Sequence, residues 1–290
     1  MALFGIELIP ILLALAHVAL GVVVLILAKL CRDLVSPYPT EVELTSHDNP
    51  AFGMAVAGYY AATVIVFLGA TRAQGLPMDA GSMAVLQALG LDLAWAVGGI
   101  IALNLTRVFM DRVLITECNN SQEVTQKRNL AAGAVEFGCY IAAGLVLSGA
   151  IGAKGGTLVT TLVFFIISLL TLVILGRGYL AFAGYNVAEE VRKGNFSAGI
   201  PFGLTLIALS ILMLKATSGE FISWGVNLGY FAADAISGFL LLMLLRWVTD
   251  LALLPHAKIE EEVVRDHNVN AGLVEGVLAI GIATIILFLL

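Results

Sequence analysis

Eight stretches of about twenty mostly apolar residues follow one another along the chain. They lie at 5–30, 50–71, 83–107, 129–152, 157–179, 196–216, 224–247 and 268–290. Each is long enough to cross the roughly 30 Å hydrocarbon core of a bilayer as a helix. In that core the backbone must satisfy its own N–H and C=O groups, so only helices and closed barrels span it. The alternating pattern of barrel strands is absent. The composition agrees, with 290 residues, 60% hydrophobic, only 12% charged, and a mean hydropathy of +0.98. A soluble core could not hide that much apolar surface. The first run has neither a basic start nor a small-residue cleavage site, so it reads as a span and not a removed signal segment. The expectation is an all-α polytopic membrane protein with eight transmembrane helices and no soluble domain.

A short pattern opens every second helix. It reads Asn49-Pro-Ala-Phe-Gly53, Asn129-Leu-Ala-Ala-Gly133, Asn195-Phe-Ser-Ala-Gly199 and Asn268-Val-Asn-Ala-Gly272. Four copies imply four helical hairpins in tandem. Each Asn suits a helix N-cap, where its side-chain oxygen accepts an orphan backbone N–H. Direct contact with a ligand is the alternative role. Pro50 fits the first helical position. The glycines let helix backbones approach closely.

The second and fourth copies add a carboxylate seven residues after the Asn, at Glu136 and Glu275. Each follows a helix closed by Arg-x-x-x-Asp, at Arg107 and Asp111 and again at Arg246 and Asp250. Every one of these matches is offset by 139 residues, so a four-helix unit appears twice. The expected units are 1–152 and 153–290. Four crossings return the chain to the same side. The halves are therefore expected to be parallel and related by a pseudo-two-fold axis along the membrane normal, unlike the inverted repeats of many transporters.

Charge orients the chain. Of 15 Lys and Arg, only Arg72, Lys154 and Lys215 fall on one side, leaving twelve at the long connections and helix ends of the other. By the positive-inside bias the long connections are cytoplasmic and both termini face outward. The net charge of −6 is scattered over short loops, which gives no surface for nucleic acid. Cys31, Cys118 and Cys139 form no Cys-x-x-Cys pair and read as reduced thiols.

Hairpin repeats that open with Asn-x-x-x-Gly, some with an intramembrane Glu, resemble the YjfL-like bacterial membrane family, catalogued as domain of unknown function 350. The resemblance covers nearly the whole chain. It implies a bacterial inner-membrane location and no particular activity, cofactor or ligand. Val56 and Phe202 stand where the first and third copies would carry the Glu.

An acidic side chain inside a membrane is costly and marks function by default. Positions 0, +4 and +7 share one helix face, so Glu136 and Glu275 should point into the bundle about 10 Å below their caps. No Arg or Lys falls deep inside an expected helix, which leaves protonation or a bound cation to neutralise the two carboxylates. A structural hydrogen bond is the alternative. Asp92 and Asp234, in the third and seventh helices, are further candidates for a proton or ion path; Asp234 is expected near mid-membrane and Asp92 nearer the outer face. His17 is central in the first helix. The Arg-x-x-x-Asp pairs read as ordinary i,i+4 pairs whose Arg snorkels to head groups.

No phosphate-binding loop, dinucleotide fingerprint, nucleophile elbow or metal-type His spacing occurs, so neither an enzyme nor a cofactor is expected. Two functions remain. One is passage of protons, cations or a small solute along the paired carboxylates. The other is a non-transporting scaffold or signalling subunit that recruits a cytosolic partner through its loops. Homo-oligomerisation is open in either case.

Overall fold

The computed structural model describes residues 2–3, 6–36, 38–74, 81–113, 120–253 and 259–289. Eight long helices carry the chain: α1 (Leu8–Val35), α2 (Pro50–Gln74), α3 (Ser82–Val113), α4 (Leu130–Gly152), α5 (Leu158–Phe182), α6 (Phe196–Thr217), α7 (Trp224–Leu253) and α8 (Val269–Leu289). All eight are long and apolar enough to cross a membrane. Two-residue strands at Ala2–Leu3 and Ile6–Glu7 pair at the N-terminus.

The even helices form a row in the order α2, α4, α6, α8, and their mutual packing is the closest in the molecule. Glycine sets that closeness. A Cβ on Gly133 would lie 2.6 Å from Ala51 O, one on Gly199 2.5 Å from Ala131 O, and one on Gly272 2.6 Å from Ser197 O. These are backbone atoms that cannot swing aside, so only hydrogen fits at the three glycines. Pro201, inside α6, has no N–H to give Ser197 O, and its ring lies against Gly272. The odd helices pack over the row. α3 contacts both α2 and α4, α5 contacts α4 and α6, and α7 contacts α6 and α8. α1 lies against α2 and α3, with most of its length exposed.

The connections hold structure that hydropathy does not reveal. Short helical turns at Val42–Ser46, Asn120–Thr125, Val187–Arg192 and Glu261–Arg265 each lead into an even helix. The Asn backbone N–H then closes the turn by donating to a Glu carbonyl: Asn49 to Glu43 (3.1 Å), Asn129 to Glu123 (2.9 Å), Asn195 to Glu190 (2.9 Å) and Asn268 to Glu262 (2.8 Å). In the third copy this is a Schellman motif with Gly194 left-handed at φ 84°. The other three turns are one residue longer, and Asp48, Arg128 and His267 take the left-handed position at φ 45–52°. That conformation is unfavourable for a residue with a Cβ, and the surrounding bonds hold it. Burial pushes the Glu190 carboxyl up, but bonds from Asn195 and Lys193 outweigh it and hold the group below the usual carboxylate range.

Candidate functional site

Each Asn side chain does three things. Its oxygen caps the even helix, accepting from Phe52 N, Ala132 N, Ser197 N and, in the fourth copy, Asn270 N, at 3.0–3.2 Å. Its amide donates to the carboxylate of the Glu that starts its own turn, as in Asn129 Nδ2 to Glu123 Oε2 (3.1 Å) and Asn195 Nδ2 to Glu190 Oε2 (2.8 Å). In the first three copies the amide also crosses to the next copy. Asn49 donates to Val124 O (3.0 Å), Asn129 to Val191 O (2.7 Å) and Asn195 to Val263 O (2.9 Å). The cap and the helix-to-helix link are thus one side chain. Gly133, Gly199 and Gly272 sit one turn further along, at the backbone contacts described above. Gly53 meets only the Leu44 side chain.

Glu136 and Glu275 are 2% and 3% exposed and point into the bundle. Both have a cation. Arg107 Nε lies 2.9 Å from Glu136 Oε1, and the Arg246 guanidinium pairs with Glu275 Oε1. This corrects the expectation that no basic group reaches them. α3 runs to Val113 and α7 to Leu253, each six residues beyond the hydropathy boundaries at 107 and 247. Six residues are about 9 Å of helix, so both Arg residues start well inside and reach the Glu with their long side chains. Each Arg therefore reaches a buried carboxylate on the neighbouring even helix, which the Arg-x-x-x-Asp spacing did not announce. The side chains of Asp111 and Asp250, and all of Cys118, lie outside the described residues.

The second carboxylate oxygen of each pair, Glu136 Oε2 and Glu275 Oε2, is buried without a hydrogen-bond partner. The space beside Glu136, among Leu103, Thr106, Met110, Cys139 and Tyr140, is about 10 Å³. A single water is the most such a space accepts. Around Glu275, Tyr179 Oη donates to Oε1 (3.3 Å), the Arg246 guanidinium lies 4.5 Å from the Tyr179 ring centre, and Phe202 stacks on the other side at 6.0 Å. Beside Glu136, one turn on, Tyr140 Oη accepts from Arg32 Nη1 (3.3 Å). Arg32 is itself buried, with Phe52, Tyr59 and Tyr140 rings 5.1, 5.4 and 6.0 Å from its guanidinium carbon.

The other candidate carboxylates stand apart from these pairs. His17 Nδ1 lies 2.8 Å from Leu13 O, which can only accept, so Nδ1 carries a proton. Nε2 then faces Asp92 Oδ2 at 3.3 Å. Lys215 Nζ pairs with Asp234 Oδ1 at 2.6 Å, close to the end of α6 remote from its Asn cap. Asp234 faces a cavity of about 300 Å³ with Thr217, Glu220, Asn227 and Tyr230. Among the described residues no cluster of three His, Cys, Asp or Glu is placed to hold a metal.

Sequence reading did not find the Arg partners, the Tyr140 and Tyr179 hydroxyls, the aromatic cage of Arg32, or the Glu43, Glu123, Glu190 and Glu262 carboxylates. A signal for the last group was present: a Glu five or six residues before each Asn, followed by Leu or Val.

The profile of the family described as Domain of Unknown Function (DUF350) matches residues 6–151 and again 155–290. The chain belongs to this family. Among curated proteins it is similar to a UPF0719 transmembrane protein of Aquifex aeolicus (strain VF5), 23% identical over 184 residues. That match covers 62% of this chain and 63% of the relative, so the chain spans less than two thirds of the relative's length. No solved structure matches.

Proposed function

We propose that this membrane protein passes protons, with the Arg107–Glu136 and Arg246–Glu275 pairs as the groups that exchange them. One observation carries the reading. Each half holds a buried carboxylate with one oxygen on an Arg and the other unpartnered. The open oxygen is the place for an incoming proton, and the Arg stabilises the carboxylate once the proton leaves. The volume beside Glu136 suits a proton or one water and not a larger solute.

The arrangement we propose has the Asn-cap ends in the cytoplasm and both termini outside a bacterial inner membrane, on the strength of the twelve-to-three bias of basic residues. It also has two parallel halves, supported by the two successive family matches. A strict two-fold axis would set α8 against α2 as closely as α6 lies against α4. Those two helices are the ends of an open row, which favours a smaller rotation about the membrane normal, repeated from hairpin to hairpin.

A scaffold role is the second reading. Its support is that Glu136, Glu275, Asp92 and Asp234 all have a basic partner, so the pairs could serve packing alone. The test neutralises whole pairs, because Gln at the Glu positions alone would remove the buried anion and leave the Arg charge in place. The variant Arg107→Gln, Glu136→Gln, Arg246→Gln, Glu275→Gln should purify as a folded protein and lose pH-driven proton flux in liposomes carrying an internal pH dye. Flux equal to that of the unaltered chain would defeat the proton reading and leave the scaffold.

A further inference from the structure

The row of even helices has two unlike ends, and each end lacks what the other offers. At every internal junction, copy n gives the next copy three contacts. Its Asn amide donates to the carbonyl of the residue after the next turn's Glu. Its residue two after the Asn (Ala51, Ala131, Ser197) receives the next copy's Gly. Its residue nine after the Asn meets residue eight of the next copy's motif: Gly58 on Phe137, Gly138 on Gly203, and Leu204 on Gly276. Each of these pairs includes a glycine.

Among the described residues the fourth copy has no successor and the first has no predecessor. In the fourth copy the Asn268 amide bonds its own Glu262 (2.7 Å), and among the described residues no carbonyl of another copy accepts from it. Asn270 and Val277 stand exposed where Ala51 and Gly58 are buried. In the first copy Leu44 is 37% exposed, whereas Val124, Val191 and Val263 at the same place are at most 2% exposed. Ala57 is exposed, and Gly53 faces no other helix. α1 fits the same rule. Each later odd helix lies across two even helices, but α1 has only α2 of its pair, and Val18, Val22 and Ile26 on it are exposed.

We propose that copies of this chain associate head to tail in the membrane, α8 of one copy against α2 of the next, continuing the internal row. Asn268 then donates to Leu44 O of the neighbouring copy, Gly53 of that copy packs on Asn270, and Val277 meets Ala57 at the wider spacing that two Cβ atoms require. The exposed face of α1 lies across the junction, in contact with α8 of the neighbouring copy. Such a contact is heterologous: the two surfaces differ, and each copy uses both. It is independent of the proton reading.

The test is oxidative cross-linking in native membranes. Ala57→Cys and Val277→Cys chains with different tags are co-expressed, beside the unaltered chain as a control for Cys31, Cys118 and Cys139. The expected product is a disulfide-linked pair carrying both tags, with neither variant forming it alone. Adding Gly53→Leu to the Ala57→Cys chain should lower its yield at least about tenfold, because the side chain fills the notch for Asn270. The unaltered chain in lipid nanodiscs should have a mass that is a multiple of 30.5 kDa. The proposal is overturned by a single-chain mass, by absence of the mixed pair, or by an Ala57→Cys pair that forms alone in equal yield, which would mean a face-to-face dimer.

Discussion

Removing one member of the Arg107–Glu136 pair should cost far more than removing both. Arg107→Met leaves Glu136, 3% exposed, as an uncompensated buried charge. Breaking a buried pair in this way costs about 3–5 kcal/mol. Glu136→Gln removes the carboxylate from beside Arg107, which is 20% exposed and keeps some solvation, so the lower end of that range applies. The double variant has no buried charge left over, and its cost should fall to about 1–2 kcal/mol, the scale of lost hydrogen bonds and packing. The coupling between the two positions is then at least about 3 kcal/mol. Acid adds a second signature. The carboxylate stranded by Arg107→Met escapes by taking a proton, and that becomes easier by about 1.4 kcal/mol for each pH unit of acidification. Arg107→Met should therefore regain stability as the pH falls from 7 to 5, while Glu136→Gln should not. The measurement is reversible unfolding in mixed micelles at several pH values. Costs that add to within about 0.5 kcal/mol, or an Arg107→Met variant indifferent to pH, would refute the pair.

Two further outcomes follow from packing and from charge. A Cβ at Gly138 would lie 2.5 Å from Gly203 Cα, so Gly138→Ala should destabilise by about 1–3 kcal/mol; Gly281 meets nothing within 4 Å, so Gly281→Ala should gain up to about 1 kcal/mol of helix propensity, both read by thermal unfolding in detergent. A cysteine at Gly155 should react with an impermeant thiol reagent applied outside intact cells, and one at Lys127 should not, with the reverse pattern refuting the proposed orientation.

Helix number was legible because hydropathy at the scale of twenty residues is nearly one-dimensional information. Helix ends were less so. α3 and α7 continue for six residues past the apolar runs, through Arg and Asp, and that shift moved two cations from the apparent surface to the depth of Glu136 and Glu275. Hydropathy records where a Cα leaves the apolar run, whereas an Arg guanidinium acts several ångströms away from it. The Asn motif was legible as a cap from its position before an apolar run. Its second role, the bond to the next copy's carbonyl, joins residues 62–75 apart in sequence and leaves no local pattern. The Glu before each Asn was in view but not singled out, because a left-handed Asp48, Arg128 or His267 hid the turn that a glycine marks openly at Gly194.

The two ion pairs recur at a constant offset but do not have equal surroundings, and stability should show it. Glu136 has a second buried cation near it: Arg32, whose Nη1 donates to Tyr140 Oη one helical turn away, and whose guanidinium has three aromatic rings beside it and no carboxylate among its ion pairs. Arg177, in the corresponding odd helix α5 of the second half, is exposed. Glu275 thus offsets one half-buried cation, and that cation has the Tyr179 ring beneath it at 4.5 Å. A cation over an aromatic face retains about 0.5–2 kcal/mol when its carboxylate is gone. Glu136→Gln removes the carboxylate nearest to two cations, the half-buried Arg107 and the buried Arg32. It should therefore cost about 1–2 kcal/mol more than Glu275→Gln, from the lost attraction to Arg32. Replacing Arg32 by Met in the Glu136→Gln background should recover part of that difference, and the same replacement in the Glu275→Gln background should recover none. Equal costs for the two Gln variants, or equal recovery in both backgrounds, would show that Arg32 is electrostatically isolated from Glu136 and that the aromatic cage alone holds it.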